Sequence, residues 1–364
     1  MTLSLYIARR FLWLYLRVFL AFFVFLVMID LVDQLNRFSD SGITFGEALT
    51  LALLNAPQTV YRILPLLMAL SAIGLFLGLA RSSELVVVRA AGRSGLRFLM
   101  APVLAAMLVG VMSVAVMNPI VAATSKRYDT LYTSHSRGGS ILSVADGGLW
   151  LRQGDDQGQV VIHADRANLD GTELYDASFL SFDREGNPVS RLVAEVARLE
   201  PGIWALSKAK RWALDAPNPE QAAVLLPEGA SLPTDLTAES IRDSFGTPSA
   251  VSFWDLPAYI RGLEQAGFSA HSHRVWFQME LAQPLLLAAM VLIAAGFTMR
   301  HARMSRTGPL VLQALLCGFA VFFLRNFGQI LGENGDLPVM LAAWTPPVVA
   351  TMLALGLLLH LEDG

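Results

Sequence analysis

The sequence predicts an α-helical membrane protein with six transmembrane helices, arranged three and three, and an inserted all-β, jelly-roll-like domain. Three observations carry this prediction. Six apolar runs are each about 20 residues long, enough to cross a hydrocarbon core of about 30 Å as a helix. A polar block, residues 118–277, separates the third run from the fourth and is long enough to fold as a domain. Hydrophobic residues make up 54% of the chain and charged residues 16%, where soluble domains carry about 25% charged residues.

The runs are Phe11 to Ile29, Val60 to Ala80, Phe98 to Met117, Leu281 to Met299, Pro309 to Leu331 and Val339 to Leu359. They divide the chain into residues 1–117, the insert 118–277, and residues 278–364. The first run is too long for a signal-peptide core and no small-residue cleavage site follows it, so it reads as a retained helix. Arg9 and Arg10 precede the first run. Arg81, Arg89, Arg93 and Arg97 fill the connection between the second and third, and Arg300, Arg303 and Arg306 the one between the fourth and fifth. The alternate connections carry Asp30, Asp33, Asp40, Glu47, Glu333 and Asp336, with Arg37 the only nearby base. By the positive-inside rule the basic connections and both termini are cytoplasmic and the insert faces outward.

Within the insert, candidate strands are Gly148 to Arg152, Val160 to Ala164, Glu173 to Phe182 and Val189 to Leu199. A further run contains Ile203, Ala205, Lys208, Lys210, Trp212 and Leu214. Turn signals such as Asp170-Gly171 and Pro201-Gly202 separate them, a spacing that suits an antiparallel sandwich or jelly roll. Val189 to Leu199 fits a short helix as well. Residues 216–233, rich in Pro, Ala and Glu, read as an irregular connection. Asp255 to Gly267 reads as an amphipathic helix with Leu256, Tyr259, Ile260 and Leu263 on one stripe.

No phosphate-binding loop, Gly-x-Ser-x-Gly, His-Glu-x-x-His or cysteine pair is present, so an enzyme reading has no constellation to stand on. The single Cys317 forms no internal disulfide. A net charge of −3 argues against nucleic acid as a partner. His271 and His273 have no third ligand nearby and read as exposed histidines in a linker rather than a metal site. Gly74 and Gly78 permit close helix contact. Pro284, Pro346 and Pro347 sit where they can bend membrane helices. Arg17, Arg62 and Arg325 fall inside apolar runs, where snorkelling competes with a role inside the bundle.

Two groups stand out as candidate sites. Residues 82–92 carry an apolar cluster on the basic side: Ser82 or Ser83 can cap a helix, Glu84 suits its first turn and Gly92 can end it. The segment is either a simple interfacial helix or a docking helix for a cytoplasmic partner. The second group is Arg37, Lys126, Arg127 and Arg137, just outside the membrane. Converging arginines pair well with phosphate oxygens; scattered solvated charges are the plainer reading.

Taken together, Val32-Asp33-Gln34-Leu35, Ser83-Glu84-Leu85-Val86-Val87 with Ala91-Gly92, and Gly138-Gly139-Ser140-Ile141-Leu142-Ser143 with Gly148-Leu149-Trp150 resemble the LptF/LptG lipopolysaccharide export permease family. The likeness spans nearly the whole chain and is closer to the LptG branch. It implies a periplasmic β-jelly roll, an inner-membrane location and a paralogous LptF permease as partner. It also implies a dimer of the ATPase LptB, the single-helix protein LptC and lipopolysaccharide as substrate. Ser83, Glu84, Leu85, Val86 and Arg89 would form the coupling helix docked on LptB. No cofactor belongs to this chain in that picture; ATP and Mg act in the ATPase. The first and fifth helices of paired permeases would form side gates. One departure stands out: the outer end of the first helix, basic in the family, carries Asp30 and Asn36 here, with Arg37 its one base. The competing reading is a mechanotransmitter or scaffold that carries ATPase strokes to a periplasmic partner without a lipid path through itself.

Overall fold

The computed structural model describes residues 2–37, 44–82, 84, 95–135, 141–145, 148–155, 158–168, 172–183, 185, 187–214, 218–227, 229–234, 236–237, 248–265, 269–299 and 307–362. The helices are α1 (Thr2–Arg37), α2 (Phe45–Arg81), α3 (Gly95–Met112), α4 (Asn118–His135), α5 (Leu256–Gln265), α6 (His271–Thr298), α7 (Thr307–Glu333) and α8 (Val339–Glu362). The strands are β1 (Ile141–Ala145), β2 (Gly148–Asp155), β3 (Gly158–Ala164), β4 (Arg166–Ala167), β5 (Glu173–Phe182), β6 (Pro188–Glu200), β7 (Ile203–Ala213), β8 (Val224–Leu225) and β9 (Ala230–Pro233). Two compact units result: residues 1–128, 249–254 and 271–364 in one, residues 129–248 and 255–270 in the other.

The first unit is the helical one. All six apolar runs are helices long enough to span a bilayer, and most exceed their apolar core. The third run does not stop at Met117. A π-turn, Ser113–Met117, joins α3 to α4, so one helical rod continues to His135. Helix α2 starts with a reciprocal cap: the Thr44 hydroxyl accepts from the Glu47 N–H (3.4 Å), and the Glu47 carboxylate accepts from the Thr44 N–H (2.9 Å). It runs through Pro57 and Pro65, and α6 and α8 run through Pro284 and Pro346-Pro347.

Packing in this unit is uneven. In their most apolar stretches α6 is 78% and α2 61% buried, against 17% for α7 and 0% for α1. The core includes Phe11 from α1, Leu64, Met68 and Phe76 from α2, and Leu287, Met290 and Val291 from α6. Small residues allow the close contacts. A Cβ on Gly110 would lie 2.5 Å from the Pro284 Cα, so α3 and α6 touch backbone to backbone there. A Cβ on Gly74 would meet Leu14 at 3.1 Å, which identifies the Gly74/Gly78 stripe as the seat of α1 on α2.

The second unit is one nine-stranded antiparallel sheet running β1-β2-β3-β5-β6-β7-β8, with β4 on β5 and β9 on β7. This is the inserted β domain, built by neighbouring strands pairing in order. The stretch 188–200, open between helix and strand in the sequence, is a strand paired along its length with both β5 and β7. Residues 216–233 are not wholly irregular. They contribute β8 and β9 to the edge of β7, where Glu220 accepts from Lys210 Nζ (2.5 Å) and Trp212 Nε1 (2.6 Å). Trp204, Phe179, Ile162 and Leu174 are buried in this unit. Asp176 and Lys208 adopt positive φ on opposite sides of Glu195, and pairing lapses along this row without a change of register. Lys208 bridges Glu195 at 2.6 Å across the lapse. Helix α5 buries Leu256, Ile260 and Leu263, the stripe its sequence spacing requires.

Candidate functional site

Three polar sites interrupt the apolar packing of the helical unit. The first lies where α1 ends. Gln34, only 1% exposed, donates to the Tyr128 hydroxyl at 3.0 Å and ties α1 to α4. Arg37 lies one turn beyond Gln34, and Lys126 and Arg127 adjoin Tyr128, all three exposed. The fold therefore brings the two elements that carry these bases together. Arg37 is shared with Asp33, one turn back, at 3.3 Å. Asp30 is explained by its neighbour on α2: Asn55 Nδ2 donates to it at 3.0 Å. A basic side chain there would lose this tie between helices. Arg137 lies outside the described residues.

The second site is at the opposite end of α1. Arg10 Nη1 donates to Glu84 Oε1 at 2.8 Å, and Ser82 Oγ donates to the same oxygen at 2.8 Å. The Ser82 N–H closes α2 on the Gly78 carbonyl at 3.1 Å. Partial burial pushes the Glu84 carboxyl up. The hydrogen bonds from Arg10 and Ser82 and the Arg10 charge together outweigh that and hold it below its ordinary range. Glu84 is thus fixed to α1 at the point where the chain leaves α2. Ser83, Leu85, Val86 and Arg89 lie outside the described residues, as do residues 90–94 and the bases Arg300, Arg303 and Arg306.

The third site was not legible in the sequence. Glu280 on α6 is 1% exposed and accepts a hydrogen bond from the Tyr61 hydroxyl of α2. Asn118, the first residue of α4, lies against both groups and accepts from the Phe253 N–H at 2.7 Å. Arg325 on α7 is 6% exposed and acts on Glu280 and Tyr61 through its charge. So a carboxyl, a phenol and an amide from α6, α2 and α4 meet inside the bundle, and the Arg325 guanidinium of α7 acts on them through its charge without an ion-pair contact. The π-turn ends at Asn118, and within it the Ala115 carbonyl accepts from Trp254 Nε1 (3.1 Å). Arg17 and Arg62, by contrast, are exposed. Of the three intramembrane arginines, Arg325 alone is drawn inside.

His271 and His273 are not linker residues. They form the first turn of α6, and His273 is buried at 4% exposure. The helix begins ten residues ahead of the apolar run at Leu281, which draws His273 into the packing of α6. No group of three metal-ligating side chains occurs among the described residues.

Comparison with known proteins settles what these features belong to. The family model of the lipopolysaccharide export system permease LptF/LptG matches residues 5–360. The chain belongs to the LptF/LptG family. It is similar to the lipopolysaccharide export system permease protein LptG of Escherichia coli K12, 27% identical over 330 residues that cover 90% of this chain and 87% of that protein. It is also similar to the LptG protein of Haemophilus influenzae Rd, 23% identical over 346 residues and 92% of each chain. As an LptF/LptG permease it is a transport subunit of lipopolysaccharide export and a multi-pass inner-membrane protein. The Asp30–Asn55 and Gln34–Tyr128 bonds hold the end of α1 to α2 and α4.

Proposed function

We propose that this chain is one half of the channel through which an ATP-driven exporter extracts lipopolysaccharide from the outer leaflet of the inner membrane and passes it to a periplasmic bridge. The single observation that carries this reading is the pair of open helices. α1 and α7 turn long rows of large apolar side chains outward: Leu16, Leu20, Val24 and Phe25 on α1, and Leu316, Phe319, Phe323 and Phe327 on α7. α2 and α6 seal the interior behind them. A wall of this kind is half a cavity and calls for a second permease of the LptF type to complete it.

In this reading the basic ends of the helices are cytoplasmic and the β unit is periplasmic. An LptB ATPase dimer, which uses ATP and Mg, drives the coupling segment around Glu84. The Arg10–Glu84 bond carries that displacement into α1. Closure of α1 against the partner's wall then pushes the amphiphile outward. Arg37, Lys126 and Arg127, with Arg137, meet the phosphates of the substrate as it enters, and LptC inserts its helix at the α1 gate.

The test is copurification of the tagged chain in mild detergent, with photocrosslinking to lipopolysaccharide from p-azidophenylalanine at Phe25. Recovery of a second permease, an ATPase and a lipopolysaccharide adduct supports the reading. Recovery of an ATPase and a periplasmic partner, with no adduct from α1, would favour a mechanotransmitter. Charge reversal at Arg37 and Arg127 should weaken the adduct; an unchanged adduct removes the collar from the mechanism.

A further inference from the structure

A cleft of about 510 Å³ opens between α1 and α2, far from the Arg37 collar. It is lined by Tyr6, Arg9, Arg10, Trp13, Leu14, Arg17, Gly74 and Leu75. Arg9 and Arg37 are 28 positions apart on one helix, which at 1.5 Å per residue is about 42 Å, the full thickness of a bilayer. The cleft and the collar therefore belong to opposite membrane surfaces. We propose that this cleft binds the headgroup of an anionic glycerophospholipid, distinct from the exported lipid.

Three observations point to that ligand. Tyr6, Arg9, Arg10, Trp13 and Arg17 recur at helical spacing on α1, so one stripe carries three guanidinium groups and two interfacial aromatics. Only Arg10 has an acidic partner, Glu84 at 2.8 Å; Arg9 and Arg17 have no side-chain partner among the described residues. The cleft thus carries an excess of positive charge. Arg17 lies eight residues beyond Arg9, about 12 Å further along the helix and inside the apolar stretch. A bare guanidinium at that depth is costly, and a lipid phosphate beside it relieves the cost.

The floor of the cleft agrees with this. Gly74 leaves the α2 side low, and Leu14 and Leu75 supply an apolar base on which the glycerol and upper acyl carbons can rest. A free phosphate ion has no use for that apolar base, whereas a lipid uses both parts. Basic pockets between membrane helices are a recurring form of headgroup site. Because Arg10 lines the cleft and also holds Glu84, a bound headgroup sits one side chain away from the segment that leaves α2.

The experiment is native mass spectrometry of the full chain with its copurified subunits, stripped of lipid by prolonged detergent exchange. Tetraoleoyl diphosphatidylglycerol is titrated in parallel with dioleoyl phosphatidylcholine. The anionic lipid should be retained in clear preference, and each arginine removed by Arg9→Gln or Arg17→Gln should weaken it about five-fold. The Arg9→Lys/Arg17→Lys variant should keep most of the binding, and Arg211→Gln in the β unit should keep all of it. Equal retention of the two lipids overturns the proposal, as does a double glutamine variant that assembles normally and binds like the parent. Displacement of the lipid by millimolar inorganic phosphate would reassign the site to a soluble anion. A p-azidophenylalanine at Trp13 that labels only a protein subunit would reassign it to a subunit contact. Either result overturns the lipid proposal.

Discussion

Helices α1 and α6 have similar apolar composition and opposite surroundings. The apolar core of α6 is 78% buried within its own chain, and that of α1 is not buried at all. α7 resembles α1, and α2 resembles α6. Hydropathy treats all four alike, because lipid is as apolar as a protein core and either satisfies it. The difference lies in small and polar residues. α6 is enclosed on several sides, meeting α3 at Gly110 and α2 through the Tyr61–Glu280 bond, whereas α1 packs by one side along α2, at Phe11, Leu14 on Gly74 and Asp30 on Asn55, with Gln34 and Arg10 tying its ends. A helix packed on one side with a free apolar face leaves that face to a partner or a lipid. A helix locked by backbone contact and a buried carboxyl holds the frame. The fold separates open apolar walls from an enclosed interior.

The sharpest way to break the contrast is to remove the lock. Glu280→Ala leaves the buried Tyr61 hydroxyl without its acceptor and removes the carboxyl whose charge acts on the buried Arg325. A buried polar group left unpaired costs about 1–3 kcal/mol, and loss of the charge that acts on Arg325 adds to it. Thermal unfolding in detergent should show a large drop, and a parent-like midpoint would mean that the four-helix cluster carries no structural role. Next in size is Gly110→Val. The new side chain must displace the Pro284 backbone, and overpacking of this kind costs about 1–3 kcal/mol. The same unfolding assay reads it, and an unchanged midpoint would deny the backbone contact.

The Arg10–Glu84 link should matter little for stability and more for coupling. Each side chain is 35% exposed, so solvent screening limits the pair to about 0.5 kcal/mol. The Glu84 carboxyl is held below its ordinary range, so its contribution is complete above the unfolded value, about 4.3, and fades as pH falls through the lower folded value. A double-mutant cycle of Arg10→Gln and Glu84→Gln should give a small coupling energy that is constant from pH 8 to about pH 5 and declines below that. ATPase-driven export should fall by more than stability does; equal losses would reduce the pair to a structural tie. Smallest of all is Leu20→Ser on the open face of α1, which should leave the unfolding midpoint within about 0.5 kcal/mol of the parent and still reduce export.

Composition and period made the frame readable. The six spans, strands β2, β3, β5 and β7 and most of the α5 stripe, with Leu256, Ile260 and Leu263 buried and Tyr259 partly so, follow from hydropathy and alternation alone. The internal locks did not show. Tyr61, Asn118 and Glu280 are single polar residues in or beside apolar runs, separated by up to 219 positions, and only the packing brings them together. The continuation of the third span to His135 was hidden for a similar reason: the π-turn shifts the helical face just where hydropathy falls. Short edge strands such as β8 owe their form to β7 rather than to their own residues. Arg37 and Arg127 were legible as bases, but the Gln34–Tyr128 bond that brings their helices together was not.

The most direct test of the open-wall account places p-azidophenylalanine in turn at Phe25 on α1, Phe323 on α7 and Phe76 on α2, in the assembled transporter under turnover. Phe25 and Phe323 are 58% and 63% exposed, and Phe76 is fully buried. The account predicts lipopolysaccharide adducts from at least one of the two open positions and none from Phe76. Adducts from Phe76, or none from either open position while export continues, would contradict it.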